Sequence, residues 1–262
     1  MKHALRWTVL VYIALVLLVP VGFIFYKTFE PGPAEVWRSI TTPAAIHAFW
    51  LTILVTAIAV PLNAVFGVLT AIMLVRGNVR GKRFIEAVID LPFAVSPVVV
   101  GLALVLLYGN DGWFGGVLGE LGIQVIFSVP GIVIATIFVC LPFVVREVVP
   151  VLREVGTDQE QAAATLGASR WQSFRRITLP SIRWGLTYGI VLATARAIGE
   201  FGAVSVVSGR MSGKTETLTV LVENRYTNFN YAGAYAASAL LAAIALTVLI
   251  VMTLLQRRRD PS

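Results

Sequence analysis

One cysteine, two histidines and a charged fraction of 13% leave this 262-residue chain short of the groups that most enzymes use. Cys140 has no second cysteine for a disulfide, and beside Leu141 and Pro142 it reads as a small apolar filler. His3 at the terminus and His47 at a membrane edge are too few to build a metal site. No histidine falls inside an apolar run, so an intramembrane hydrolase would lack the base that activates its nucleophile, and Cys140 has no activating neighbour. The shortage of charge has the widest consequence. With 57% hydrophobic residues there is too little polar surface to cover a soluble core, and lipid is the solvent that suits the composition.

Long apolar runs are the other side of that shortage. A helix needs about 20 residues to cross a hydrocarbon core of roughly 30 Å. Six segments qualify, at about 7–26, 48–75, 84–107, 129–149, 184–207 and 231–255, so the expected fold class is an all-α integral membrane protein with six transmembrane helices. Lys2 and Arg6 ahead of the first run imitate a signal peptide. The run is longer than a typical signal core and no small-x-small cleavage site precedes Pro31-Gly32-Pro33, which predicts a retained anchor. The expected organisation is an anchor helix and external loop over 1–47, a membrane core over 48–256 and a basic tail over 257–262.

Lys and Arg concentrate on one side of these spans. Lys2 and Arg6, the group from Arg76 to Arg83, the arginines between Arg146 and Arg183, and Arg257 to Arg259 share a face; Lys27, Arg38, Arg210, Lys214 and Arg225 face the other way. The positive-inside rule then puts both termini and the segment 150–183 in the cytoplasm. The net charge of +7 is accounted for by topology and contact with membrane lipid headgroups, and needs no nucleic acid.

Within segment 150–183, Thr157 or Asp158 offers an N-cap, acids fill the first turn, Ala162, Ala163 and Ala164 favour helix, and Gly167 can end it in a left-handed turn. A helix of about three turns is expected, then a second from about Ser169 into Ile177 that Leu179-Pro180 breaks before the fifth span. Small alanine side chains would let another protein's groove close over the backbone, whereas a helix lying on a membrane would carry Leu and Trp there.

Ionisable residues inside the spans are expensive and therefore informative. Arg196 and Glu200 are four apart on the fifth span, so they share a helix face and can pair, while Gly199 and Gly202 allow close approach or local unwinding. Two readings stand: a structural ion pair, or an arginine bordering an anion path that Glu200 neutralises when the path is empty. Glu86 and Asp90 open the third span within reach of Arg80, Lys82 or Arg83; Pro92 and Pro97 should kink that span, with Ser96 satisfying a freed group. Asn63 suits an interhelical hydrogen bond. Trp113, Phe114 and the stretch 125–127 read as an interfacial belt. The stretch 209–230 reads as a solvated connector, long enough for an external partner to land on. Ser208 to Thr215 imitates a phosphate-binding loop, but Ser208 occupies its first glycine position and no soluble strand precedes it, so nucleotide binding is not expected.

The run from Gln161 reads Q-A-A-x3-G-x9-I-x-L-P, through Gly167 and Ile177 to Leu179-Pro180. It resembles the E-A-A loop of the transmembrane subunits of ATP-driven (ABC) importers, with Gln161 at the acidic position and Glu160 directly before it. The resemblance implies that Glu160, Gln161, Ala162, Ala163, Gly167, Leu179 and Pro180 dock a separate ATPase. Ala195 to Val204 and Val206 to Leu218 are similar to the permeases of sulfate and molybdate importers, most of all to the W-type permease of sulfate/thiosulfate importers. Membership would imply a type I importer (MetI-like) permease fold in a prokaryotic plasma (inner) membrane. It would imply a second, T-type permease, a cytoplasmic ABC ATPase dimer that uses ATP and Mg, and an external sulfate-binding protein. It would also imply no cofactor and no catalytic residue in this chain, with Arg196, Gly199, Glu200 and Gly202 as anion path or gate. Molybdate or tungstate import is the neighbouring alternative, and a proton-coupled secondary transporter using Glu200 and Asp90 is the alternative from another class; the latter calls for inverted repeats, and none is evident.

Overall fold

The computed structural model describes residues 2–257, and among them there is no strand. Residues 258–262, most of the expected basic tail, lie outside the described residues. The first apolar run is a continuous rod, α1 (Lys2–Ile13), a π-helical turn (Ala14–Leu18) and α2 (Val19–Phe29). Its flank remains exposed, and it touches the rest of the molecule near its end, where Thr28 Oγ1 donates to the Tyr235 carbonyl at 3.0 Å. A short helix α3 (Pro33–Ile40) leads to α4 (Pro43–Arg76). Thr42 starts α4 by accepting from the Ala45 N–H at 3.3 Å, and Pro43 is preorganised for the first turn.

Among the described residues four helices are long and apolar enough to cross a membrane: Arg6–Phe29, Pro43–Arg76, Val129–Val155 and Tyr231–Val248. The expected third span is not one rod. It divides into α5 (Lys82–Ala94) and α6 (Pro97–Tyr108), bent by 110°, and raises the number to five if the bent pair counts as one span. The bend falls at Val95 and Ser96, both extended, because Pro97 drives the preceding residue out of helical geometry and then opens the next helix. The Ser96 side chain makes no capping bond, contrary to the expectation that it would satisfy a freed group.

The expected fifth span is broken as well. It comprises α11 (Leu179–Ile198), a turn at 199–201 and α12 (Gly202–Val207), connected beyond to α13 (Leu218–Thr227) and α14 (Tyr231–Arg257). A short α7 (Gly115–Glu120) precedes the central helix α8 (Val129–Val155). The stretch 209–230 is not a solvated connector: Glu216, Leu218 and Val220 have no exposed surface. Arg225 pins it by donating to Thr42 Oγ1 (2.9 Å) and to the carbonyls of Gly233 (3.0 Å) and Ser39 (3.1 Å). Burial lowers the Arg225 pKa, with the charge of Glu216 acting in the opposite direction.

Helix α8 packs between α4 and α11. Lipid supplies no hydrophobic drive for helix association, so close packing by small residues has to do it. A Cβ built on Gly67 would sit 2.7 Å from Val144, and one on Gly189 would sit 2.9 Å from the Val144 backbone, so both neighbours approach α8 at a distance that only glycine permits. Asn63 makes the expected interhelical bond, donating to the Ile137 carbonyl at 3.2 Å. Cys140 is fully buried in the same layer, its thiol 3.6 Å from the Ala193 carbonyl. Glu86 and Asp90 pair with Arg153 (2.6 Å) and Arg146 (2.8 Å) of α8, not with the Arg80–Arg83 group.

Candidate functional site

The loop after α8 forms α9 (Asp158–Thr165), then α10 (Arg170–Ser173), a π-turn (Phe174–Thr178) and α11. Helix α9 has eight residues, nearer two turns than three. It ends as its sequence predicts. Gly167 has φ +84°, the Gly167 N–H donates to the Ala164 carbonyl (3.0 Å) and the Ala168 N–H to the Ala163 carbonyl (2.9 Å), the paired closing bonds of a Schellman cap. Ser169 and Gln172 then form a reciprocal capping box that starts α10.

Pro180 does not break the chain at the fifth span. The Leu179 N–H reaches back five residues to the Phe174 carbonyl, and this widened turn accommodates the proline in the first turn of α11. Helical geometry therefore continues from Arg170 to Ile198. Any force on the loop would act on the base of a rod.

Of the loop residues singled out by sequence, Gln161, Ala162 and Gly167 are exposed, and Ala163 is partly so. The Gln161 side chain donates to Thr157 Oγ1 (2.7 Å). Glu160 points inward. Its Oε2 pairs with Arg76 Nε at 3.1 Å and its Oε1 accepts from Thr178 Oγ1 at 2.7 Å. Leu179 and Pro180 belong to the rod and not to the exposed tip. Leu166, 89% exposed, and Trp171, 66% exposed, add an apolar edge beside α9 that residue-by-residue reading passed over. A cleft of about 740 Å³ lined by Met73, Arg76, Glu160, Ala164, Arg170 and Phe174 lies beside the contact between α9 and the end of α4.

The second group lies at the end of α11 and the turn beyond it. Arg196 is on α11, but Glu200 is in the turn beyond its end, so the two do not share a continuous helix face. They meet all the same: Arg196 Nη1 lies 2.5 Å from Glu200 Oε2, an ion pair whose angles fall outside those of a hydrogen bond. The other carboxylate oxygen caps α12 by accepting from the Ala203 N–H at 2.8 Å, and Thr219 Oγ1 donates to the Glu200 carbonyl at 2.7 Å. Glu200 is 1% exposed and Arg196 31% exposed. A carboxylate so deep needs these partners to remain there. Gly199 has room around it, whereas Gly202 is pressed against Pro97.

The model of the family described as "Binding-protein-dependent transport system inner membrane component" matches residues 63–262. The chain is 49% identical to the sulfate transport system permease protein CysW of a Synechocystis species, over 98% of this chain and 93% of that protein. It is 49% identical to the CysW protein of Escherichia coli strain K12, over 94% and 85%. Its fold is similar to a chain in the crystal structure of a bacterial alginate ABC transporter in complex with an alginate pentasaccharide-bound periplasmic protein. That match has a TM-score of 0.82 at 17% identity and covers 100% of this chain and 95% of the other. The broken spans, the helix-turn-helix that feeds the fifth, and the match over most of the sequence lead to one assignment: this chain belongs to the inner-membrane components of binding-protein-dependent transport systems.

Proposed function

We propose that this chain is the W-type permease of an ATP-driven importer for sulfate and thiosulfate. It would form half of the anion path, with a T-type permease as the other half. An external sulfate-binding protein would deliver the anion, and a cytoplasmic ABC ATPase dimer would hydrolyse ATP with Mg. The chain itself carries no reaction and holds no cofactor; it supplies path and lever. The observation that carries this reading is α9, a short capped helix with an exposed alanine face, mounted at the foot of the rod from Arg170 to Ile198.

In this reading the chain crosses the membrane six times, with both termini and α9 in the cytoplasm. The crossings are α1–α2, α4, α5–α6, α8, α11–α12 and α14. Gln161, Ala162, Ala163 and Gly167 present the surface over which the ATPase closes, and Glu160, Leu179 and Pro180 connect that surface to the spans. Arg196, Gly199, Glu200 and Gly202 border the path. The Arg196 guanidinium is the one cation in that group, and its fork matches an oxyanion. Glu200 holds it while the path is empty.

The test is uptake of radiolabelled sulfate by cells lacking the chain, with and without its restoration. Restored uptake that excess thiosulfate inhibits and molybdate does not is the expected result. Unchanged sulfate uptake with lost molybdate uptake would keep the architecture and replace the substrate.

A further inference from the structure

We propose that Arg76 is a coupling residue, a guanidinium clasp that makes α4, α8 and α11 move when α9 is displaced. The proposal rests on the transporter reading above and adds a positioning residue from a different span. Arg76 is the last residue of α4, and only 15% of its side chain is exposed. Its Nη1 donates to the Leu152 carbonyl at 3.1 Å, and its Nη2 donates to the Gly156 carbonyl. These carbonyls belong to the end of α8, where no intrahelical donor remains, so the guanidinium caps α8 with a charge of the sign its dipole favours.

The third side of the same fork reaches Glu160 Oε2 in the first turn of α9, and the other oxygen of Glu160 holds Thr178 at the foot of α11. Thr178 is 7% exposed. One guanidinium and one carboxylate thus bring together the ends of two spans, the start of a third and the exposed helix. Among the described residues no ion pair involves Arg80, Lys82 or Arg83, the basic residues that follow in the sequence.

The chemistry makes independent movement of α9 unfavourable. Drawing α9 away alone would leave a mostly buried guanidinium, or the carboxylate opposite it, without its charge partner, and that costs far more than an exposed pair is worth. Moving the three span ends with α9 keeps every contact. Lysine cannot replace this arrangement, because a single ammonium cannot serve three acceptors in the planar directions of the fork.

The experiment uses the complete complex, purified with its ATPase and reconstituted in proteoliposomes, carrying Arg76→Lys or Thr178→Val. Three quantities are read: ATPase co-purified, ATP hydrolysed, and sulfate taken up. Both variants are expected to keep the ATPase and its hydrolysis within about twofold, while sulfate transported per ATP falls about fivefold or more, the low end of ordinary coupling between sites. Unchanged transport per ATP in both variants overturns the clasp alone. If Arg76→Lys loses the ATPase altogether, the near-isosteric Thr178→Val decides: a fall in transport per ATP there supports the clasp, and an unchanged ratio overturns it. Absence of any ATPase from the wild-type complex overturns the transporter reading, and the clasp with it.

Discussion

Gly202 and Pro97 bring the two broken spans together at their breaks. A Cβ built on Gly202 would lie 2.8 Å from the Pro97 Cβ, and one on Gly101 would lie 2.9 Å from the Ala203 carbonyl. Each break frees backbone groups, and Ser96, Gly199 and Phe201 remain exposed in the single chain; irregular backbone at membrane depth is tolerated where protein or a water-filled cavity covers it. The contact has no slack for a side chain at position 202.

Gly202→Val is expected to force α12 away from α6 at a cost of about 1–3 kcal/mol, the usual range for overpacking. Sulfate uptake should fall severely while the ATPase still co-purifies, because α9 is remote in the fold from this contact. Normal uptake by this variant would show that the breaks need not stay in register.

Gly167 sits at φ +84° in open space, so a side chain there meets backbone strain and no clash. Gly167→Ala should weaken the end of α9 by about 1 kcal/mol, and Gly167→Asn by less, since asparagine tolerates the left-handed region. The amount of ATPase retained by the purified permease should follow the order Gly, Asn, Ala. An equal yield from all three would separate the Schellman cap from docking.

Glu200 performs two tasks that substitutions can separate. Glu200→Gln keeps an acceptor for the Ala203 N–H and removes the charge facing Arg196; Glu200→Ala removes both. The alanine variant should therefore be the less stable, by about 1 kcal/mol for the lost cap. Thermal denaturation in detergent measures the difference. If Arg196→Met restores Glu200→Gln to wild-type stability while uptake remains lost, the arginine serves the anion path; if it restores both, the pair is structural.

Arg225→Ala removes a half-buried cation from three acceptors on two other segments. A destabilisation of about 3 kcal/mol is expected from bonds of this charged type. Limited proteolysis should show earlier cleavage between Gly209 and Asn230. An unchanged digestion pattern would mean that the buried Leu218 and Val220 hold the segment without it.

The position of the exposed helix was legible from residues alone, since the acids, the alanines and Gly167 act over a few bonds and the Schellman turn followed, although Thr157 at the N-cap makes no side-chain capping bond. Pro97 announced a break in the third span but not its 110° angle, which depends on what α6 packs against. Pro180 was misleading. A proline usually ends a helix, and only the π-turn before it, set by the ladder from Phe174 to Leu179, lets the rod continue. The partners of Glu86 and Asp90 are not legible in sequence, because Arg146 and Arg153 arrive from α8, 56 and 67 positions away. At the end of an apolar run Arg76 reads as a topology charge, as a basic residue there usually does.

What the sequence determined by itself is the solvent, the helical class, the family and the closing turn of α9. These follow from composition, apolar run length and contacts a few residues apart. The tertiary structure alone decided where Glu160 points, that the breaks of two spans meet at Gly202 and Pro97, and that Arg76 and Glu160 together join four segments. Glu160 lies 84 positions from Arg76, and a hydrogen bond depends on tenths of an ångström that only the packing of α4, α8 and α11 can set.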